Sequence, residues 1–359
     1  MIRSMATMAL SAACMQTLAG CGTPPQPEPL SFTRAYMGVQ ATILVGTSRD
    51  RHEEAVNAAV AAFERIQSLE SCYSTWRDDS EINRFHRSTT GEWVILSDDL
   101  FDLLDRSHEY ALATDGAFDV TQGRAIRLAR GAIDDGYAPS STEIQHASAS
   151  GGWAHLHLDR THKAAMRTRE ELRLDFGGIG KGYAADKALD VLAELGFESA
   201  LVDIGGDIAV GRAYQDRPWR IQVQPGYGSD PIMLELSDCG IATSGTSEQS
   251  LQIDSVTHSH IIDPGSGRAV TGRSAVTVIA PDATTADVFA SALSVHDGLE
   301  TDGSDGQAPR LTVIRWAEIN GILTPGWSDP ARRLQASPTA RTPVSAAPGR
   351  HPRSGPDPR

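Results

Sequence analysis

The sequence predicts an α+β fold, in one domain over residues 31–322, and three observations carry that prediction. The first is residues 172–195, LRLDFGGIGKGYAADKALDVLAEL. Apolar and polar residues alternate as far as Phe176, four glycines then surround Lys181, and from Tyr183 apolar residues recur at helical spacing. This reads as a strand, a glycine turn and a helix. The second observation is that helix-period and strand-period segments alternate along the chain from Ser31, joined by short turns. The third is size: 359 residues, 40% hydrophobic and 22% charged, suffice for a core that a fibrous or disordered chain lacks.

Taken in order, residues 1–20 have the layout of a secretion signal. An apolar stretch over 5–19 follows Arg3 and is too short to span a membrane as a stable helix. Leu18-Ala19-Gly20-Cys21 resembles the bacterial lipobox, in which the signal is cut before the cysteine and that cysteine carries the lipid. The expected location is therefore the cell envelope, on a membrane anchor at Cys21 facing the periplasm or the exterior; ordinary cleavage with Cys21 incidental is the alternative. Residues 21–30 are Pro-rich and read as a stiff tether.

Residues 36–45 read as a first strand, and 51–69 as an amphipathic helix with Val56, Ala59, Val60, Phe63 and Ile66 on its apolar face. STWRDDSEI at 74–82 is a polar loop, with Ser80 capping a short helix through Phe85. Its one large aromatic, Trp76, either stacks on a planar ring or pins the loop to the body. A helix over 98–113 delivers TDGAFDVTQG at 114–123, whose carboxylates, hydroxyls and glycines make a poor core and a ligand loop.

The glycine turn at 177–182 lets backbone approach a ligand, and the helix behind it offers free N–H groups to a phosphate; a strand-to-helix connection with no ligand is the alternative. Gly182 follows Lys181 where a Walker loop has Ser or Thr, and GIGKG does not fit the dinucleotide fingerprint. Residues 199–204 are expected to form a buried strand, with Gly205-Gly206-Asp207 marking a bulge or close approach. Strands follow at 219–224 and 232–236, and residues 241–245 are expected to close the same sheet section. Residues 284–293 read as a helix capped by Thr284 or Thr285, with Asp287 and Ser291 four apart on one face. Residues 323–359 are expected to be a disordered tail, rich in Pro and Arg beyond Trp327.

Charge and motifs narrow the function. A formal net charge of −14 argues against nucleic acid as the main partner. An anionic ligand would then be met by lysine, backbone dipoles or a divalent cation. No G-x-S-x-G elbow and no HExxH helix is present. His155 with His157, and His258 with His260, could each place two imidazoles on one strand face, though the first pair reads better as a surface strand. There is no CxxC; Cys72 and Cys239 could pair in an oxidising compartment.

Eight blocks in order carry a resemblance. They are MGVQA at Met37, STWRDDSEINRF at Ser74, TDGAFDVTQG at Thr114, LDFGGIGKGYAADKA at Leu174, VDIGGD at Val202, IATSG at Ile241, SHIIDPGSGR at Ser259 and TVIAPDATTADVFASAL at Thr277. Together they resemble the ApbE-like family of FAD:protein FMN transferases. The resemblance implies a T-fold-like core with a second α/β portion and an FAD cleft between them. It implies cleavage of the FAD pyrophosphate, release of AMP and attachment of FMN through a phosphoester to Thr or Ser of an acceptor protein. FAD would lie against Met37, Trp76, Ala117, Phe118, Asp119, Asp175, Lys181 and Ile261. Mg²⁺ would be held by Asp287, Ser291 and the carbonyl of Gly178, and His260 would accept the proton of the attacking hydroxyl.

Some positions depart from the family pattern. Trp76 stands where the family commonly has Tyr, and Ser291 where it has Thr. Thr246-Ser247-Glu248-Gln249 follows the TSG block in place of aromatic and basic residues, and Arg124-Ala125-Ile126-Arg127 follows Gly123 in place of a Pro-Leu run. Two alternatives stand beside transfer: an FAD pyrophosphatase yielding FMN and AMP, and a flavin-binding lipoprotein without catalysis. AMP release on incubation with FAD and Mg²⁺ separates an enzyme from a binder.

Overall fold

The structure is a computed structural model that describes residues 28–225, 229–245, 250–253, 256–271, 274–299, 311–319, 322–327 and 344–345; of residues 250–260, 327 and 344–345 it describes backbone alone. The expected signal, Cys21, residues 246–249 and most of the expected tail lie outside the described residues.

The chain opens on a hairpin, β1 (Leu30–Tyr36) and β2 (Val39–Val45), turned at Met37 and Gly38. Their φ angles of 52° and 75° are the left-handed pair that a two-residue hairpin turn requires. The single strand expected over 36–45 therefore runs across a turn, which the sequence hides because Met is no turn former. Helix α1 (His52–Tyr73) buries Ala55, Ala59, Phe63, Ile66 and Leu69. Ser80 caps α2 (Glu81–His86) by accepting from the Asn83 N–H at 3.3 Å. There follow β3 (Val94–Ile95), α3 (Asp98–Ala113), α4 (Gly123–Asp135) and α5 (Ser141–Ala149), then β4 (Leu156–Asp159) and β5 (Ala164–Arg167), which join β3 in a small sheet.

Residues 172–176 do not form a sheet strand. They run extended beside residues 120–123, with Gly123 N–H donating to Arg173 O at 3.1 Å and Asp175 N–H to Val120 O at 2.9 Å. Helix α6 (Gly180–Glu194) then starts inside the glycine turn, three residues before the expected Tyr183. β6 (Ala200–Ile204) and β7 (Asp207–Val210) form a hairpin whose turn is Gly205-Gly206, so those glycines reverse the chain where a bulge was expected.

β8 (Trp219–Val223) and β9 (Ile232–Leu236) pair in a sheet of their own. β10 (Cys239–Gly245) does not close that sheet as expected, but lies between β7 and β14 (Ser274–Ala280). β11 (Ser250–Ile253), β12 (Val256–Ile262) and β13 (Ala269–Thr271) form another small sheet before β14. Helix α7 (Ala283–Val295) is capped by Asp282, whose carboxylate accepts from Thr285 N–H at 2.7 Å; a carboxylate one residue outside the helix out-competes the expected Thr284 and Thr285. β15 (Thr312–Ile319) and β16 (Ile322–Trp327) complete the main sheet, and Leu323 is buried in it, so the ordered domain passes the expected boundary at Ile322. Within the expected tail, β17 (Val344–Ser345) pairs in parallel with β8.

The main sheet has the order β1-β2-β6-β7-β10-β14-β15-β16, antiparallel throughout. Because side chains alternate along a strand, it builds two cores. Ile43, Val202, Ala242 and Val278 face α1, α6 and α7. Leu44, Leu201, Ile241 and Trp316 face Ile221 and Leu234 of the β8–β9 sheet. Helices segregated onto one face of an antiparallel sheet are the α+β architecture expected from the sequence.

Candidate functional site

The glycine turn is positioned by what precedes it. The extended segment 172–176 is tied to loop 114–123 by the two bonds above and to α2 by Leu174 N–H donating to His86 Nε2 at 2.9 Å. At its end Asp175 is buried, accepting from Gly177 N–H at 2.8 Å and from Arg130 Nη1 at 2.8 Å. A Cβ at Gly177 would stand 2.7 Å from Arg130 Nη2, so glycine is what lets the guanidinium sit there. The same guanidinium lies 6.0 Å from the centre of the Trp76 ring. Trp76 is 77% exposed. It therefore does not pin its loop to the body; Asn83 does, donating Nδ2 to the carbonyls of Thr75 at 3.1 Å and Arg77 at 2.9 Å. A large exposed ring on a fixed loop is free to stack on a planar ligand.

On the other side of the turn, α6 and α7 cap each other. Asp287 on α7 accepts from Gly182 N–H in the first turn of α6 at 3.1 Å. Asp186 on α6 accepts from Ala283 N–H and Thr284 N–H at the start of α7, at 2.9 and 2.8 Å. A Cβ at Gly182 would collide with the Ala283 carbonyl, so the helices meet this closely because residue 182 is glycine. Tyr73 Oη donates to Gly180 O at 2.6 Å and holds the turn from α1. Burial pushes the Asp287 carboxyl above the usual carboxylate range, while Lys181 and the Gly182 N–H pull it back.

Ser291, one helical turn beyond Asp287, faces the glycine turn. A Cβ built on Gly178 would lie 3.0 Å from Ser291 Oγ and 3.5 Å from the Phe118 ring. Phe118, Gly178, Ser291 and Asp287 are thus brought together from loop 114–123, the glycine turn and α7. Among the described residues no three His, Cys, Asp or Glu side chains gather as a metal site. What the group offers is one buried carboxylate, one hydroxyl and backbone carbonyls. Those are hard oxygens in small number, a set that fits Mg²⁺, which keeps several waters and tolerates few protein ligands.

The other expected site residues are placed as follows. Lys181 pairs with Asp207 of β7, which is 3% exposed. Close by, Asp203 is pushed up to about 6 by burial, against the Gly206 N–H and Lys181. Asp119 accepts from Thr121 N–H at 2.8 Å and Thr121 Oγ1 at 2.7 Å, shaping its loop, while burial raises its pKa. Ala117 is half-buried beside it. Met37 at the hairpin turn donates its N–H to Glu70 Oε1 at 2.7 Å and so leans on α1. Ile261 is buried on β12. His260 precedes it on that strand, and its side chain lies outside what is described. Cys72 and Cys239 are both free thiols.

Sequence reasoning missed Arg130, Asp207 and Tyr73, which hold Asp175, Lys181 and the turn. Their only sequence signals are the Arg124, Arg127, Arg130 spacing on α4 and the acid ending Gly205-Gly206-Asp207. A cavity of about 540 Å³ lies elsewhere, lined by Trp93, His108, Trp153, His157 and Arg160, and it includes none of the expected site residues. The open glycine-turn site carries the chemistry-bearing groups, so the cavity's volume does not make it the candidate.

Comparison with known proteins identifies the family. Residues 37–302 match the ApbE family. The chain is 29% identical over 295 residues to an FAD:protein FMN transferase of Treponema pallidum, covering 77% of this chain and 81% of that one. It is 30% identical over 323 residues to an FAD:protein FMN transferase of Vibrio cholerae, covering 84% and 91%. The fold matches the crystal structure of an ApbE protein from Thermotoga maritima with a TM-score of 0.75 at 26% identity, over 86% of this chain and all of that one.

Proposed function

Because the chain belongs to the ApbE family, we propose that it transfers FMN from FAD to a Thr or Ser of an acceptor protein, releasing AMP. The observation that carries this reading is the convergence of Gly178, Ser291 and Asp287 behind a glycine turn flanked by the exposed Trp76.

In this reading Trp76 stacks on a planar ring of FAD, and Arg130 fixes Asp175 so that the turn keeps its shape. Met37, Ala117, Phe118, Asp119, Lys181 and Ile261 complete the FAD contacts. Asp287, Ser291 and the Gly178 carbonyl would hold Mg²⁺, which when bound supplies charge neutralisation and orientation of the pyrophosphate. His260, as a neutral imidazole, accepts the proton of the attacking hydroxyl, whose oxygen displaces AMP from the FMN phosphorus. The expected result for His260→Ala is FAD affinity within a few-fold of wild type and most turnover lost; unchanged turnover would remove the histidine from the mechanism.

The test is incubation with FAD and Mg²⁺, with and without a coexpressed candidate acceptor, reading AMP by chromatography and covalent FMN by mass spectrometry. AMP with no covalent FMN on any acceptor would make the chain a pyrophosphatase; FAD retained intact would make it a binder. We also infer that Cys21 carries a lipid anchoring the domain to the envelope membrane. Metabolic labelling with a fatty acid should mark the wild type and fail to mark Cys21→Ala.

A further inference from the structure

Arginines outside the site gather on one face of this acidic protein. Arg124 and Arg127 lie three apart at the start of α4 and so share a face, with Arg130 of the candidate site three further along. Arg173 joins them through the bond from Gly123 N–H to its carbonyl. Arg167 and Arg173 both donate through Nη1 to Glu170 O, at 2.8 and 2.7 Å, so two guanidiniums share one carbonyl. Arg167 also donates to Ser88 O at 2.5 Å, next to Arg87, which in turn donates to Asp78 O at 2.9 Å.

The donors of Arg87, Arg167 and Arg173 thus go to backbone carbonyls. Among the described residues none of Arg87, Arg124, Arg127, Arg167 and Arg173 forms an ion pair with a carboxylate. Arg87, Arg124 and Arg127 are exposed, while Arg167 is 3% exposed with its Nε buried and unpaired. The mutual field is felt inside the group. After burial, Arg167, Arg127 and Arg124 are the causes that lower the Arg173 pKa, and Glu170 offsets part of this. Repulsion is compounded at α4, where basic residues sit at the N-terminal end with no acidic residue in the first turn. Such an arrangement lowers stability, and a partner that brings negative charge relieves it.

We propose that this patch docks an acidic segment of the acceptor protein and leads its Thr or Ser along the Arg124, Arg127, Arg130 row to the site. The proposal rests on the transferase reading above. An acidic peptide is favoured over a lipid surface because the row ends at Arg130, between Asp175 and Trp76; a bilayer lying on the same arginines would cover Trp76 and close the site to its substrates.

The experiment uses the full chain and two synthetic peptides with one central Thr, flanked by Asp and Glu in one and by Asn and Gln in the other. Calorimetric titration is expected to show the acidic peptide binding about 10-fold tighter or more, a preference that shrinks as salt rises to about 0.3 M. Arg124→Glu with Arg127→Glu should remove the preference while acceptor-independent AMP release stays at the wild-type value and the melting temperature is unchanged or raised, since the reversal relieves the repulsion. Lys at both positions should keep most of it. Equal binding of the two peptides, or a preference unchanged by charge reversal, overturns the proposal. So do phosphatidylglycerol vesicles that displace the peptide and need the same two arginines. An arginine-dependent peptide preference with no covalent FMN on any acceptor would sustain the docking surface and sink the transferase reading; covalent FMN on an acceptor without the preference does the reverse.

Discussion

Asp287 is a buried carboxylate whose known partner is one backbone N–H, at 3.1 Å. Losing that bond costs about 1 kcal/mol, too little to unfold a domain of this size. Asp287→Ala should therefore stay folded by circular dichroism and lose Mg²⁺-dependent AMP release; full activity in the folded variant would sink the metal assignment. Ser291→Thr keeps the hydroxyl and stiffens its rotamer, so activity should be preserved or raised. Trp76 tests the ring-stacking role in the same way. Because it is 77% exposed and supports no packing, Trp76→Ala should leave the melting temperature unchanged while FAD affinity drops by about 1–3 kcal/mol, the range measured for aromatic stacking on a base. Trp76→Tyr should retain most of that affinity.

At the scale of elements, the site depends on how closely α6 and α7 approach. Gly182 permits that approach, and a methyl there meets the Ala283 carbonyl and stands 2.9 Å from Asp287 Cβ. Backbone cannot yield as a side chain does, so Gly182→Ala should lower stability by about 1–3 kcal/mol and displace Asp287. Gly131, inside α4, has no atom within 4 Å of a built Cβ. Gly131→Ala should instead raise stability by about 0.5–1 kcal/mol through helix propensity. Urea melts of the two variants check both signs.

For the whole molecule, His86 couples stability to pH. Its Nε2 accepts the Leu174 N–H, which requires the neutral ring. Burial, then the fields of Arg173, Arg167, Arg127 and Arg87, push its pKa down to about 3. An unfolded His titrates near ~6.5. Between those values the unfolded chain binds a proton that the folded one does not. Stability from this group is therefore full above ~6.5 and falls on acidification by up to about 1.4 kcal/mol per pH unit. Asp186 and Asp203, raised to about 6 by burial, act in the opposite direction as pH falls from 6. The difference between wild type and His86→Gln, whose amide oxygen can accept the same N–H, isolates the histidine: the variant should lose less stability between pH 7 and 5. The main sheet closes at β16, so deletion of residues 331–359 should leave FAD turnover and most of the melting temperature intact; a large fall would show that β17 on β8 matters to the fold.

Local rules were enough wherever an element is decided by its own residues. The period of apolar residues determines α1, α3 and the strands β8 and β9; the Ser80 cap fixes the start of α2, because an N-cap hydroxyl and the N–H that donates to it are three residues apart. The α+β class was legible for the same reason. Tertiary structure alone decided what depends on neighbours distant in sequence. Met37 occupies a left-handed turn because β1 and β2 pair around it, against its own preference. Residues 172–176 alternate like a strand, yet find residues 120–123 beside them rather than a sheet edge. In the site, the i,i+4 spacing of Asp287 and Ser291 was readable, but the glycine that Ser291 packs against and the N–H that holds Asp287 come from residues 178 and 182, more than a hundred positions earlier. Arg130 escaped notice because an arginine on an amphipathic helix looks like any solvated charge until folding sets Asp175 under it.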